Sequence, residues 1–142
     1  MALSAPDNRL YVVVGILTDK QGRVFIQQRR PGTPKAGKWE FPGGKLENGE
    51  DPQQALQREL EEELDIRVTE SYPLTVVTHD YHHARVWLDT YMVGSFEGEP
   101  SGREGQEIAW IALDNIGQYD VLDAVYPIVD AIRGYRATGQ PL

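Results

Sequence analysis

Three glutamates, Glu59, Glu62 and Glu63, recur at spacings of three and four along the run Arg58-Glu59-Leu60-Glu61-Glu62-Glu63-Leu64. On a helix turning by about 100° per residue, Glu62 and Glu63 lie roughly 60° to one side and roughly 40° to the other side of Glu59. The three carboxylates therefore share a face, whereas Glu61 points roughly 160° away and reads as a solvated position. Carboxylates crowded on one face repel each other unless a cation lies between them. A hard divalent cation such as Mg²⁺, with Mn²⁺ as a possible substitute, suits an all-oxygen ligand set. Such an ion neutralises phosphate oxygens and helps a positioned water attack them.

The elements that must hold this face are legible nearby. Asp51-Pro52 opens the helix, with proline suited to its first turn. Leu56, Leu60 and Leu64 form an apolar stripe beside the carboxylates, so the helix packs on a sheet while offering glutamates to a cleft. Upstream, Leu10 to Leu17 reads as a buried strand. Asp19-Lys20-Gln21-Gly22 has turn chemistry, and Arg23 to Arg29 returns as a second strand. Pro31 to Gly37 is a polar loop, and Trp39-Glu40-Phe41-Pro42 is a short extended segment feeding a Gly43-Gly44 turn. Leu74 to Thr78 and Arg85 to Val93 read as strands joined through His82-His83. Glu107 to Leu113 reads as another, and Asp123 to Tyr135 as a C-terminal helix carrying Val125, Ile128, Val129 and Ile132. The pattern is that of an α/β domain.

The whole segment Gly44 to Ile66 resembles the signature of the Nudix hydrolases, G-x5-E-x7-R-E-U-x-E-E-x-G-U, where U is a bulky aliphatic residue. Gly44, Glu50, Arg58, Glu59, Leu60, Glu62, Glu63 and Ile66 match in register, and Asp65 stands where the family has glycine. That position ends the helix in a left-handed conformation, which aspartate tolerates better than most residues. The resemblance implies an α/β/α sandwich around a mixed β-sheet and a single Nudix domain over residues 1–142. It implies a catalytic metal held by Glu59, Glu62, Glu63 and the carbonyl of Gly43, with Arg58 and Glu50 orienting those glutamates.

Beyond the signature, Glu97 to Glu107 has the composition of a mobile surface loop. It also resembles the E-G-E-P-x-G-x-E-G-Q stretch of MutT-type members of the family. By that resemblance Glu104 reaches the metal, and Glu59 and Glu104 are the two candidates for the general base. The flanks Val14 to Leu17, Arg29-Arg30 and Lys38 to Lys45 are similar to the same subgroup. They imply hydrolysis of a nucleoside triphosphate, 8-oxo-dGTP in particular, to the monophosphate and pyrophosphate, with Arg29, Glu40 and Phe41 around the nucleotide. Two positions depart from that subgroup: Val125 stands where it has a base-reading asparagine, and Ala84 where it has an arginine. Valine offers no paired hydrogen bonds to a base edge. Asp123 is a candidate replacement, and CTP or modified pyrimidine triphosphates are the rival substrates. A non-catalytic nucleotide sensor is the rival of another class, and the intact glutamate set speaks against it. His79, His82 and His83 are expected on the surface or the pocket rim, since adjacent strand residues face opposite ways.

Bulk properties narrow the rest. The chain has 142 residues, enough for one domain with a real core, a net charge of −8 and no cysteine. Thiolate catalysis, disulfides and zinc–thiolate sites are excluded. The charge opposes binding to nucleic-acid polymers by electrostatics alone. Met1 to Pro6 lacks a signal-peptide pattern and no apolar run is long enough to span a membrane, so a cytoplasmic monomer is expected.

Overall fold

The computed structural model describes residues 4–138. Residues 1–3, part of the segment read for a signal sequence, lie outside them, as do the last four positions of the expected domain.

The strands form two sheets. Strand β1 (Leu10–Leu17) lies inside a four-stranded mixed sheet of order β4-β1-β6-β5, with β4 Gly43–Lys45, β5 Arg67–Asp80 and β6 Arg85–Glu97. It runs parallel to β6 and antiparallel to β4. Strand β2 (Val24–Gln28) centres an antiparallel three-stranded sheet between β3 (Trp39–Glu40) and β7 (Ile108–Ile111). The turn between β1 and β2 is set by Asp19, whose Oδ1 accepts from the amides of Gln21 at 3.0 Å and Arg23 at 2.8 Å.

Two helices, α1 (Pro52–Leu64) and α2 (Val125–Thr138), cover opposite faces of this layer. Alternation along β1 shows the division. Val13 and Leu17 join the core built on Leu56, Leu60 and Leu64 of α1, while Val14 and Ile16 join the core built on Ile128, Val129 and Ile132 of α2. Between Val13 and Leu17, a side chain at Gly15 would come within 2.9 Å of Leu60 and 3.1 Å of Leu56, so the missing Cβ lets α1 approach closely. Strand β2 splits in the same way, with Phe25 towards α1 and Val24 and Ile26 towards α2. The α/β/α arrangement is the one expected.

Several element boundaries differ from the sequence reading, most of them by one to three residues, and three of the differences are instructive. The Gly43-Gly44 turn is a strand, paired through Val13↔Gly44 and Val14↔Gly43. Strand β5 begins seven residues earlier than Leu74, at Arg67. Its first half reads as polar and proline-broken because it lies at a sheet edge, where Pro73 and register shifts between Val68 and Thr75 are tolerated. Strand β6 continues past Val93 to Glu97, whose carboxylate meets Arg67 of β5 at 2.9 Å.

Helix α1 is fixed at both ends. Asp51 accepts from the Gln54 amide at 2.9 Å while the Gln54 side chain accepts from the Asp51 amide at 3.0 Å, a reciprocal cap worth about 1 kcal/mol. At the other end Asp65 takes the left-handed conformation, φ 60°, that its signature position demands.

Candidate active site

Arg58 organises the acidic face of α1. Its Nε donates to Glu50 Oε2 at 2.7 Å and its Nη2 to Glu50 Oε1 at 3.0 Å, a two-pronged pairing across the turn that precedes the helix. Nη1 donates to Glu59 at 2.9 Å and to Glu62 at 3.4 Å, and Nη2 also reaches the carbonyl of Lys45 at 3.1 Å. The hydrogen bond from Arg58 holds the Glu50 carboxyl below its ordinary range. Glu50 thus bears on the acidic face through Arg58.

Glu59 presses on β4. A Cβ at Gly44 would run into the Glu59 carboxylate, which explains why the signature begins with a residue lacking a side chain. Burial raises the Glu59 carboxyl above its ordinary value, Arg58 counteracts this, and Glu62 and Glu104 add to it.

Glu63 is the anomaly. Its Oε2 is buried and has no hydrogen-bond partner. Desolvation, then repulsion from Glu59, Glu40 and Glu104, pushes its carboxyl up to about 9, against a hydrogen bond from Gln27. An orphaned buried acceptor is rare, and a removed ion is one of the few causes. The chemistry of the donors fits a hard divalent cation: oxygen atoms only, mutually repelling, one already stripped of water. Among the described residues no three acidic or histidine side chains form a finished cation cage. The geometry gives the reason, since Glu59 and Glu62 are turned onto Arg58.

The loop carrying Glu104 departs from its composition. It is pinned to the end of α1, where Ser101 and Arg103 donate their amides to the carbonyls of Leu64 and Glu63 at 3.0 and 3.2 Å. Gln106 Nε2 donates to the Glu63 carbonyl and to Gln27 Oε1, both at 3.1 Å, while its Oε1 accepts from the Glu104 amide at 3.0 Å. The otherwise unpaired carbonyls of a helix end thereby fix the loop. Glu104 itself is exposed and lies beside Glu59 and Glu63 closely enough to repel both. Gln27 and Gln106 escaped the sequence reading, although a glutamine closing the apolar run Val24-Phe25-Ile26 was the available signal.

Next to the carboxylates opens a cavity of about 470 Å³, lined by Arg29, Glu40, Phe41, Gly43, Gly44 and Glu63 on one side. Tyr81, His83, Ala84, Ala124 and Val125 form a further wall, and residues of β1 and β6 complete the lining. A polar cleft of about 120 Å³ adjoins it, sharing Arg29, Glu40 and Glu63 and adding Gln27, Glu104 and Gln106. At the junction Arg29 Nη1 lies 3.2 Å from Glu40, and its Nε donates to the Pro34 carbonyl at 2.6 Å. Burial raises the Glu40 carboxyl even so.

The structure thus brings together Arg29, Glu40, Phe41, Gly43 and Glu63 of the expected residues. Asp123 stands apart from this lining: its carboxylate is 75 % exposed and faces His79 Nε2 at 3.8 Å, because the loop before α2 turns that side chain to solvent. Of the histidines, His83 lines the cavity and stacks on Tyr81 with ring centroids 5.5 Å apart, His79 packs on the same ring at 4.3 Å, and His82 is exposed. Tyr81 was not singled out in the sequence, since nothing in its spacing marks it.

A sandwiched mixed sheet sets this acidic helix face beside a glycine strand and a nucleotide-sized cavity. The model of the NUDIX domain matches residues 8–130, and the chain belongs to the Nudix family. Nudix hydrolases act on nucleotides and generally use divalent metal ions. The 8-oxo-dGTP diphosphatase of Proteus vulgaris is 41 % identical over 97 residues, 68 % of this chain and 87 % of that protein. The CTP pyrophosphohydrolase of Escherichia coli is 31 % identical over 129 residues, 91 % of this chain and 96 % of that protein. Among solved structures, the MutT Nudix hydrolase of Burkholderia pseudomallei superimposes with a TM-score of 0.79 at 29 % identity, covering 87 % of this chain and 97 % of that one. Among the described residues, no helix is long and apolar enough to cross a membrane.

Proposed function

We propose that this chain is a Mg²⁺-dependent nucleoside triphosphate pyrophosphohydrolase that converts 8-oxo-dGTP to the monophosphate and pyrophosphate. One observation carries the reading: the apolar cavity and the polar cleft share Arg29, Glu40 and Glu63, so a nucleoside in the first puts its phosphates at the carboxylates of the second. The cavity volume falls within the roughly 300–1,000 Å³ of small-molecule sites. The similarity to 8-oxo-dGTP diphosphatases supports the choice of substrate.

Glu59, Glu62, Glu63 and Glu104, with the backbone at Gly43, would hold the cation. Bound there, it would supply charge neutralisation on the phosphate oxygens and a lowered pKa for water. The protein's own residues do the rest. Arg58 and Glu50 hold Glu59 in place, Gln27 and Gln106 hold Glu63 and the Glu104 loop, and Glu59 or Glu104 takes the proton of the attacking water. Arg29 meets the phosphates or base edge at the junction, and Phe41 closes the nucleoside cavity. The proposal sets the enzyme in the cytoplasm, as a monomer on free nucleotides rather than polymers, which its net charge of −8 supports.

A second reading, a pyrophosphohydrolase of CTP or modified pyrimidine triphosphates, is favoured by Val125 and Ala84 on the cavity wall, which give a purine no polar partner. The test is pyrophosphate and phosphate release with Mg²⁺ on 8-oxo-dGTP, dGTP, CTP, dCTP, 5-methyl-dCTP, ADP-ribose and diadenosine polyphosphates. Preference for 8-oxo-dGTP with pyrophosphate as product is expected. Preference for CTP moves the chain to the second reading, and turnover of none of the triphosphates defeats both.

A further inference from the structure

The cavity wall that holds Tyr81, Ala84 and Val125 poses a question of hydrogen-bond accounting. Four backbone donors at the start of α2 are spent within the protein. Leu122 N–H goes to the Trp39 carbonyl at 3.1 Å, Val125 N–H to the Leu122 carbonyl at 3.0 Å, and Tyr126 N–H to the Asp123 carbonyl at 3.3 Å. The Ala124 amide goes to the Tyr81 hydroxyl, also at 3.0 Å. Ala84 and Val125 have no polar side-chain atoms. On this wall the polar side chains that a base would meet are Tyr81 and His83.

Of the two, Tyr81 has its oxygen fixed by a hydrogen bond, whereas His83 is exposed and lies with its ring stacked on Tyr81. A phenol both accepts and donates. Its oxygen takes the Ala124 proton, and no acceptor among the described residues takes its own. The ring lines the cavity and packs against His79 and His83, which fixes where the hydroxyl oxygen sits. The Ala124 bond fixes the oxygen further and, by placing a donor on one lone pair, polarises the O–H towards a partner.

We propose that the Tyr81 hydroxyl is a specificity-determining donor of the nucleobase site, giving its proton to a carbonyl oxygen on the base edge. This rests on the nucleotide-hydrolase reading and supplies the polar contact that Val125 and Ala84 do not. It selects bases that carry an exocyclic oxygen, as oxidised and ordinary guanine and the pyrimidines do, over a base that carries none.

The test is a cycle on the full-length protein with Tyr81→Phe, which keeps the ring and its stacking. The kcat/KM for 8-oxo-dGTP and for dITP is measured against that for the triphosphate of deoxynebularine, a purine nucleoside without a carbonyl. Binding of the corresponding monophosphates is followed by calorimetry. Loss of one uncharged hydrogen bond lowers kcat/KM and affinity for the carbonyl-bearing ligands by roughly three- to ten-fold. The deoxynebularine nucleotides change by less than about two-fold, because their contacts with the ring persist. Equal losses on all three ligands would reduce Tyr81 to a brace for the Ala124 loop, and no loss on any would remove it from the site; either result overturns the proposal. Should Tyr81→Phe fail to fold, the wild-type comparison decides alone, a preference for deoxynebularine or parity being the contrary result. A wild type that hydrolyses triphosphates normally while Tyr81→Phe is unchanged defeats this inference only, whereas a wild type that neither binds nor hydrolyses nucleotides defeats the hydrolase reading as well.

Discussion

The two halves of the cleft are finished to different degrees. On the side of α2 the backbone amides of Leu122, Ala124, Val125 and Tyr126 are satisfied within the protein. On the side of α1 charge is in surplus. Four carboxylates, Glu59, Glu62, Glu63 and Glu104, crowd near one arginine, and a buried oxygen of Glu63 has no partner. The first half is shaped to receive something apolar with its polar atoms at one edge. The second is strained electrostatically in a way that a bound cation, or a proton on Glu63, relieves. The cost of that strain is carried by the helix cap, the Arg58–Glu50 pairing and the leucine stripe, which hold the carboxylates where they repel each other.

The comparison is broken most forcefully at Glu63. Glu63→Gln keeps the volume and removes the charge. Activity should fall by roughly three orders of magnitude, the scale of several kcal/mol of lost charge stabilisation in the transition state. The metal-free fold should gain stability, by roughly 1–3 kcal/mol, because the desolvation penalty disappears. Steady-state kinetics and urea denaturation of the same preparation read both signs. A variant that loses stability together with activity would mark Glu63 as a structural residue.

Gly44→Ala attacks the same half from the β4 side. The added methyl runs into the Glu59 carboxylate, so kcat should drop by roughly two orders of magnitude while the wall at α2 keeps its affinity for a nucleoside monophosphate. Kinetics alongside calorimetry would show the split, and unchanged kcat would refute the close packing of Glu59 on β4. Arg58→Lys is expected to cost roughly ten-fold in kcat, since an ammonium cannot reproduce the two-pronged contact with Glu50 and the reach to Glu59 at once. Wild-type kcat in that variant would show that charge alone suffices. On the finished side, Val125→Asn introduces an amide side chain into that wall. It should shift the ratio of kcat/KM for 8-oxo-dGTP over CTP upward by roughly three- to ten-fold with little change in kcat. A constant ratio would place the base away from α2.

The contrast also explains what could be read in advance. The α1 half comes from one stretch of chain whose spacing is dictated by helical geometry, so the shared face of Glu59, Glu62 and Glu63 was legible from residue order, while the left-handed Asp65 was implied by the resemblance to the Nudix signature. The core division followed from the same logic, since Leu56, Leu60 and Leu64 on α1 and Val125, Ile128, Val129 and Ile132 on α2 are periodic. The α2 half is assembled from β1, β3, the β5–β6 connection and the start of α2, and no local pattern announces that Tyr81 meets Ala124. Strand β5 was read short because a sheet edge permits Glu70, Ser71 and Pro73 where a central strand would not. The Glu104 loop looked mobile because its glycines and acids say nothing of the α1 carbonyls that bind it.

The central claim, that the acidic face is built for a cation it cannot do without, is tested most directly by the stability difference between Glu63→Gln and the wild type as a function of pH. The Glu63 carboxyl titrates near 4.5 when unfolded and is pushed up to about 9 in the fold. Below pH 4.5 both states of the wild type hold this proton and the variant gains nothing from losing its charge. As pH rises, the unfolded chain releases the proton while the fold retains it, so the wild type loses stability and the variant's advantage grows until about pH 9. Millimolar Mg²⁺ should cancel or reverse that advantage, because the cation binds the wild-type fold alone. An advantage that is absent at every pH, or that Mg²⁺ leaves untouched, would contradict the account.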